Sequence, residues 1–371
     1  MQSDQRLASL DQFRGYTVAG MLFVNFLGSF LFIRQHLPNL GHWHTYCSFA
    51  DTIMPQFFFA VGFAYRLTYL RRCDQEGVHA ARVHTVRRNL GLLLIGFIIH
   101  HLDGNYKTFE KLRDLGFAGF LTESFQRNFF QTLTHIALTS LLILPVVGKS
   151  IPQRLGMMAT AALLFHIFAE NGYYQAVMKR PGIDGGPLGF LTWTIPMIAG
   201  TIAFDVVSQI PERAFGFMLA IACGFMLTGY GLSCLNLVTY PNGVSEPYTI
   251  RSFLLEPPFV APSHPVNIWT MSQRAGSVSY LTFGAGFAML VFALFYQACD
   301  RMKWIGLGLF KTFGTNALAA YILHGMVESA IGPFAPKDSP WSYIVFIFAI
   351  YFAICTIILR ALERRGLILK I

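Results

Sequence analysis

Apolar residues run along this chain in long blocks separated by short polar bridges. A membrane crossing needs roughly 20 mainly apolar residues, and ten blocks approach that length: about 15–33, 50–70, 86–102, 128–148, 155–170, 188–207, 214–233, 276–297, 312–331 and 341–360. The fifth is short and the third opens on basic residues. The longest bridge, 234–275, contains "EPPFVAPSHP" and is expected to pack as an ordered cap. No soluble domain fits between the blocks, and no internal repeat is visible. The pattern predicts one all-α polytopic membrane domain over 1–371, with ten helices.

Composition agrees. Of the 371 residues 54% are hydrophobic and only 13% charged, about half the charged share usual in soluble proteins. A cleavable signal peptide is not expected, because the first fifteen residues are polar. The six cysteines show no CxxC spacing, which argues against a zinc or redox motif. The net charge of +9 is then a matter of topology rather than of nucleic-acid binding. With the N-terminus in the cytoplasm and strict alternation, 18 of the 28 Lys and Arg fall on cytoplasmic segments, six of them in "YRLTYLRRCDQEGVHAARVHTVRR". That bias predicts N-in and C-in.

This orientation puts "GHWHTYCS" and Asp51 at the extracytoplasmic mouth of the second block. Asn25 in the first block, His100 and His101 ending the third, His135 in the fourth, and His324 and Glu328 in the ninth fall at similar depth. Ionisable groups inside spans are costly and mark cavities or function, so several on one level predict a polar chamber open to the outside. Each has a bland reading. His42 and His44 suit an interfacial loop as well as a general base, and Asp51 suits a helix N-terminus as well as a histidine partner. Asn25 suits interhelical glue as well as an oxyanion donor. Arg14 and the arginines of 66–88 suit positive-inside anchors as well as phosphate contacts. His324 stands alone on an apolar face.

Three motifs carry a family resemblance. "RLASLDQFRGYTVAGMLFVNFLG" (6–28) resembles the N-terminal signature of the heparan-α-glucosaminide N-acetyltransferase family and its bacterial relatives. "ADTIMPQFFFAVG" (50–62) resembles the opening of that family's second span. "FGTNALAAYILHG" resembles its C-terminal pattern through Gly314, Asn316, Tyr321 and His324. The resemblance covers about 6–70 and 311–325. Departures are the "TYCS" that replaces a Trp-x-Gly after the family histidine, a glycine run thinned to Gly28, and a longer loop after Asn25.

The resemblance implies an integral, multi-pass acyltransferase of a bacterial inner or plasma membrane, working in the lipid bilayer. It would take an acetyl group from cytoplasmic acetyl-CoA and deliver it to an amine or hydroxyl of an extracytoplasmic sugar or glycan, without a metal. It implies catalytic roles for His42 or His44, Asn25, Asp51 and His324, and donor contacts for Arg14 and Asn316. Spacing favours His42, nine residues before Asp51. The oligomeric state is left open between monomer and homodimer. The competing class is a transporter or flippase for a sugar or lipid-linked glycan, although paired broken helices and repeated halves, which many transporters show, are not visible.

Overall fold

The computed structural model describes residues 7–101, 108–126, 129–179, 183–239, 253–304, 306 and 308–369. Among these the secondary structure is all helical. The helices are α1 (Ala8–Leu27), α2 (Leu31–His36), α3 (Ile53–Glu76), α4 (Val78–His101), α5 (Phe109–Gln126), α6 (Thr132–Ile143) and α7 (Ile151–Phe168). They continue as α8 (Tyr174–Lys179), α9 (Thr194–Gln209), α10 (Ala214–Thr239), α11 (Val278–Phe295), α12 (Gly308–Thr315), α13 (Ala317–Ile331) and α14 (Trp341–Arg364).

Among the described residues four segments are long and apolar enough to cross a membrane: Gly186–Gln209, Ala214–Leu237, Val278–Arg301 and Trp341–Arg364. The other blocks are helical but differ from the simple pattern for identifiable reasons. α1, α3 and α4 carry arginines and amides within their length. α6 is only 12 residues long. The ninth block is split at Asn316, whose ψ of 45° takes it out of the helix and separates α12 from α13. α5 was not foreseen at all; its backbone turns at Gly116, where φ is +59°. In the bridge expected to form a cap, 253–275 is irregular, buries Leu255 and Met271, and packs over the opening loop, while 240–252 lies outside the described residues.

Aromatic packing makes the centre. Phe13 of α1 meets Phe59 of α3 edge-on at 5.9 Å and Phe292 of α11 at 5.6 Å. Phe63 lies 5.0 Å from Phe292. Each such pair contributes about 0.5–1.5 kcal/mol beyond buried area. A second cluster joins α1 to α13 and α14, with Phe26 stacked on Tyr351 at 4.5 Å.

Close helix crossings explain three of the motif glycines. A Cβ on Gly15 would lie 1.7 Å from the Phe310 carbonyl oxygen, and one on Gly314 would lie 2.2 Å from that of Asp11. The N-terminal and C-terminal motifs are thus the two sides of one α1–α12 contact. On α3, a Cβ at Gly62 would lie 1.9 Å from the Met197 carbonyl oxygen of α9. Gly62→Ala is therefore expected to push α3 off α9 and cost about 1–3 kcal/mol or more. The check is a thermal midpoint in detergent, and an unchanged midpoint contradicts the crossing.

Candidate active site

The loop between α1 and α3 is built around Asp51. Ser48 and Asp51 form a reciprocal cap: the Asp51 N–H donates to Ser48 Oγ at 3.2 Å, and Asp51 Oδ2 accepts from Ser48 N at 3.1 Å and from Ser48 Oγ at 2.9 Å. This is the capping-box spacing, Ser-x-x-acid, at the entry to a helix. The same Oδ2 accepts from the Trp43 N–H at 3.3 Å. Tyr280 of α11 donates its hydroxyl to the Asp51 carbonyl at 2.5 Å. Asp51 is fully buried, and these donors compensate its charge.

With Oδ2 held, Oδ1 is left for His42, whose Nδ1 lies 2.8 Å away. The opposite ring nitrogen, Nε2, lies 3.1 Å from Asn25 Oδ1 near the end of α1. Asp51, His42 and Asn25 form one continuous chain of contacts. Both imidazole nitrogens face oxygens, an arrangement that fits a doubly protonated ring. A neutral ring with Nδ1–H on Asp51 needs the Asn25 amide to present its NH2 to Nε2. The His42 side chain is 26% exposed, so it is the open end of the chain.

His44 stacks beside His42 with ring centroids 5.4 Å apart and planes 7° apart. Its Nδ1 contacts Gln273 Oε1 at 3.1 Å instead of Asp51. Burial pushes its pKa below the ordinary histidine value, against an opposing pull from Asp51. Gln273 Nε2 donates in turn to Asp184 Oδ1 at 3.0 Å. Asp184 is buried, and desolvation raises its pKa to about 7 against the Gln273 hydrogen bond. One ligand atom each from His42, His44 and Asp51 lie within 4.8 Å of one another, so the geometry admits a cation. The nitrogens and oxygens concerned are already joined by hydrogen bonds to each other and to Asn25, Ser48 and Gln273.

A cavity of about 650 Å³ runs beside α3. One end is basic, lined by Arg14, Arg72, His84 and Arg88; the other is lined by Phe57, Thr132 and Tyr321. From Phe57 to Arg72 is fifteen residues of helix, about 22 Å at 1.5 Å per residue. The deep end approaches the Asp51 loop, because Thr132 Oγ1 lies 3.8 Å from Met54 Sδ, three residues after Asp51.

The structure brings together His42, His44, Asn25 and Asp51, and places Arg14 at the basic end of the cavity. His324 lies on α13, its Nδ1 against the Tyr321 carbonyl and its ring 5.5 Å from the Tyr321 ring. Asn316 binds the C-terminal tail: Nδ2 donates to the Leu367 carbonyl at 3.1 Å, and Oδ1 accepts from the Leu369 N–H at 3.2 Å. Its neighbours Thr315 and Ala317 line the cavity, as does Leu369. His135 is fully buried 6.4 Å from Trp193, while the side chains of His100 and His101 lie outside the described residues. Sequence reasoning did not single out Ser48, Gln273, Tyr280 or Asp184. The Ser-x-x-Asp spacing is a usable signal for the first; nothing local marks the others, which reach the site through the fold.

An all-helical membrane protein with a carboxylate–histidine–amide chain at one level and a basic cavity beside it is of a kind suited to group transfer. Residues 6–183 match the family model described as heparan-alpha-glucosaminide N-acetyltransferase, catalytic. Residues 6–183 are thus similar to the catalytic region of that family, which suggests an acetyltransferase-like membrane protein, as the first two motifs indicated; the third, at 311–325, lies beyond the matched residues. No curated protein matches the chain.

Proposed function

We propose that this chain transfers an acetyl group from cytoplasmic acetyl-CoA to an amine or hydroxyl of a sugar outside the membrane, with His42 as general base. The observation that carries the reading is the Asp51–His42–Asn25 chain. Asp51 orients the imidazole and stabilises its protonated form. The acceptor nitrogen or oxygen attacks the thioester carbonyl while His42 Nε2 takes its proton. Asn25 donates from its amide NH2 to the oxyanion. The C–S bond then breaks, and the proton on His42 passes to the departing thiolate. In this reading transfer is direct, within a ternary complex of donor, acceptor and protein.

The donor lies in the basic cavity. Arg14, Arg72 and Arg88 crowd like charges at one end, which suits the phosphates of CoA. Asn25 follows Arg14 by eleven positions of α1, about 16 Å of helix at 1.5 Å per residue, which the pantetheine arm would follow. Ten crossings, N-in and C-in, place the basic end in the cytoplasm and His42 outside. The helices α1, α3 and α4, which the apolar criterion does not select, line this path together with α6, α12 and α13, and their arginines are the donor contacts.

Replacing both Arg14 and Arg88 by Gln is expected to weaken acetyl-CoA binding about a hundredfold or more, since each charge-assisted contact is worth about 1.5–3 kcal/mol. Calorimetric titration of CoA into the detergent-solubilised protein reads this directly. Wild-type affinity in the double variant places the donor elsewhere.

A further inference from the structure

Asp184 has no part in the chemistry above, yet it is the second carboxylate buried at this level. Oδ1 accepts from Gln273 Nε2; among the described residues Oδ2 has no hydrogen-bond partner. A buried carboxylate oxygen without a partner is costly. The local fold does not depend on that side chain, because the backbone already makes the ties. The Arg274 N–H donates to the His44 carbonyl at 3.0 Å and Ser272 Oγ donates to the same oxygen at 2.8 Å, while the Asp184 N–H donates to the Gln273 carbonyl at 3.2 Å. The residues at both ends of this bridge are also strained: φ is +61° at His44 and +65° at Asp184. Such conformations in non-glycine residues persist where surrounding structure enforces them and cluster at functional sites.

The bridge has one chemical consequence. Gln273 turns its NH2 to Asp184, so its Oε1 faces His44 and accepts. His44 therefore carries its proton on Nδ1, and Nε2 is a lone pair. Burial favours this neutral form. His44 stacks on His42 with a ligand atom within 4.8 Å of those of His42 and Asp51, so its ring lies beside the reacting centre.

Building on the acetyl-transfer reading above, we propose that His44 holds the acceptor sugar by accepting a hydrogen bond from one of its hydroxyls at Nε2, and that Gln273 and Asp184 are positioning residues that fix its tautomer and its ring. The site then has two histidines with separate duties: His42, held by Asp51, moves the proton, and His44, held through Gln273 by Asp184, receives the substrate.

The test is steady-state kinetics of acetyl transfer to glucosamine with His44→Ala, Asp184→Asn and the double variant. His44→Gly serves as a second replacement that meets the left-handed backbone without strain. His44→Ala and His44→Gly are expected to raise the KM for glucosamine about tenfold, the worth of one hydrogen bond of about 1.4 kcal/mol, with a much smaller change in kcat and none in the KM for acetyl-CoA. Asp184→Asn moves the same parameter in the wild type, and by less than about twofold once His44 is gone, because coupled residues are not additive. Equal cost in both backgrounds marks Asp184 as merely structural and overturns the proposal. A fall in kcat with unchanged KM in both His44 variants also overturns it, since His44 is then the base. If the wild-type protein transfers no acetyl group, the acetyl-transfer reading fails and this inference with it; transfer with additive losses sinks the inference alone.

Discussion

His42→Ala is expected to lower the rate of acetyl transfer by about 10²–10⁴-fold, the usual worth of a positioned general base, while leaving acetyl-CoA binding intact. The size of the effect follows from the geometry. Asp51 is fully buried and spends Oδ2 on three donors from Ser48 and Trp43, so among the described residues its remaining oxygen serves His42 alone. Removing the imidazole removes both the proton acceptor and the only group that brings the Asp51 charge to bear on the acceptor. Asn25→Ala is expected to follow with a loss of about 10²–10³-fold, as for other oxyanion donors. The two losses together should fall short of their product if the residues act as one unit. The measurement is single-turnover transfer at saturating acetyl-CoA. A His42→Ala protein that keeps more than a tenth of the wild-type rate removes this residue from the chemistry.

The second large effect concerns stability. Asp205 of α9 joins Arg66 of α3, whose Nε lies 2.6 Å away, to Arg154 of α7, which bonds its other oxygen. The three side chains are 4%, 9% and 1% exposed. Arg66 also donates to the Val147 carbonyl, and Arg154 to Thr201 Oγ1 at 2.6 Å, so one carboxylate ties three helices and the α6–α7 turn. Asp205→Ala leaves two guanidinium groups buried with no counter-charge. Breaking a buried pair in this way costs about 3–5 kcal/mol, and here two pairs break at once. The expected result is a drop in thermal midpoint of about 10 °C or more, or loss of folded protein. Asp205→Asn, which keeps an acceptor oxygen in place, should lie between. A midpoint within about 2 °C of wild type means that water already reaches these charges. The same change reaches the donor path, because Tyr65, beside Arg66 on α3, lines the cavity.

How much of this was legible in the sequence depends on whether a feature is local. Helices α1, α3, α9, α10, α11 and α14 follow from apolar blocks, and Asn25, His42 and Asp51 stand out because polar residues at a block edge are conspicuous there. The close crossing of Gly15 on Phe310 is foreshadowed by motifs at both ends of the chain, although only the fold shows that those motifs touch. Three features were not readable. The break at Asn316 goes with the C-terminal tail, which the Asn316 amide binds 51 and 53 residues downstream. α5 has no long apolar block to announce it. The Asp184–Gln273–His44 bridge joins positions 89 and 229 residues apart, and no spacing rule reaches that far. His324 has the residue type and the predicted level of the His42 cluster, and in the structure its Nδ1 lies against the Tyr321 carbonyl of its own helix.

The most direct test of the account uses wild-type protein in sealed vesicles with its N-terminus inside, loaded with radiolabelled acetyl-CoA and bathed in glucosamine. The account predicts labelled N-acetylglucosamine in the outer medium, formed in step with free CoA inside the vesicle, and neither product with His42→Ala. Glucosamine that crosses unmodified while acetyl-CoA stays intact would contradict it, and would make the chain a transporter.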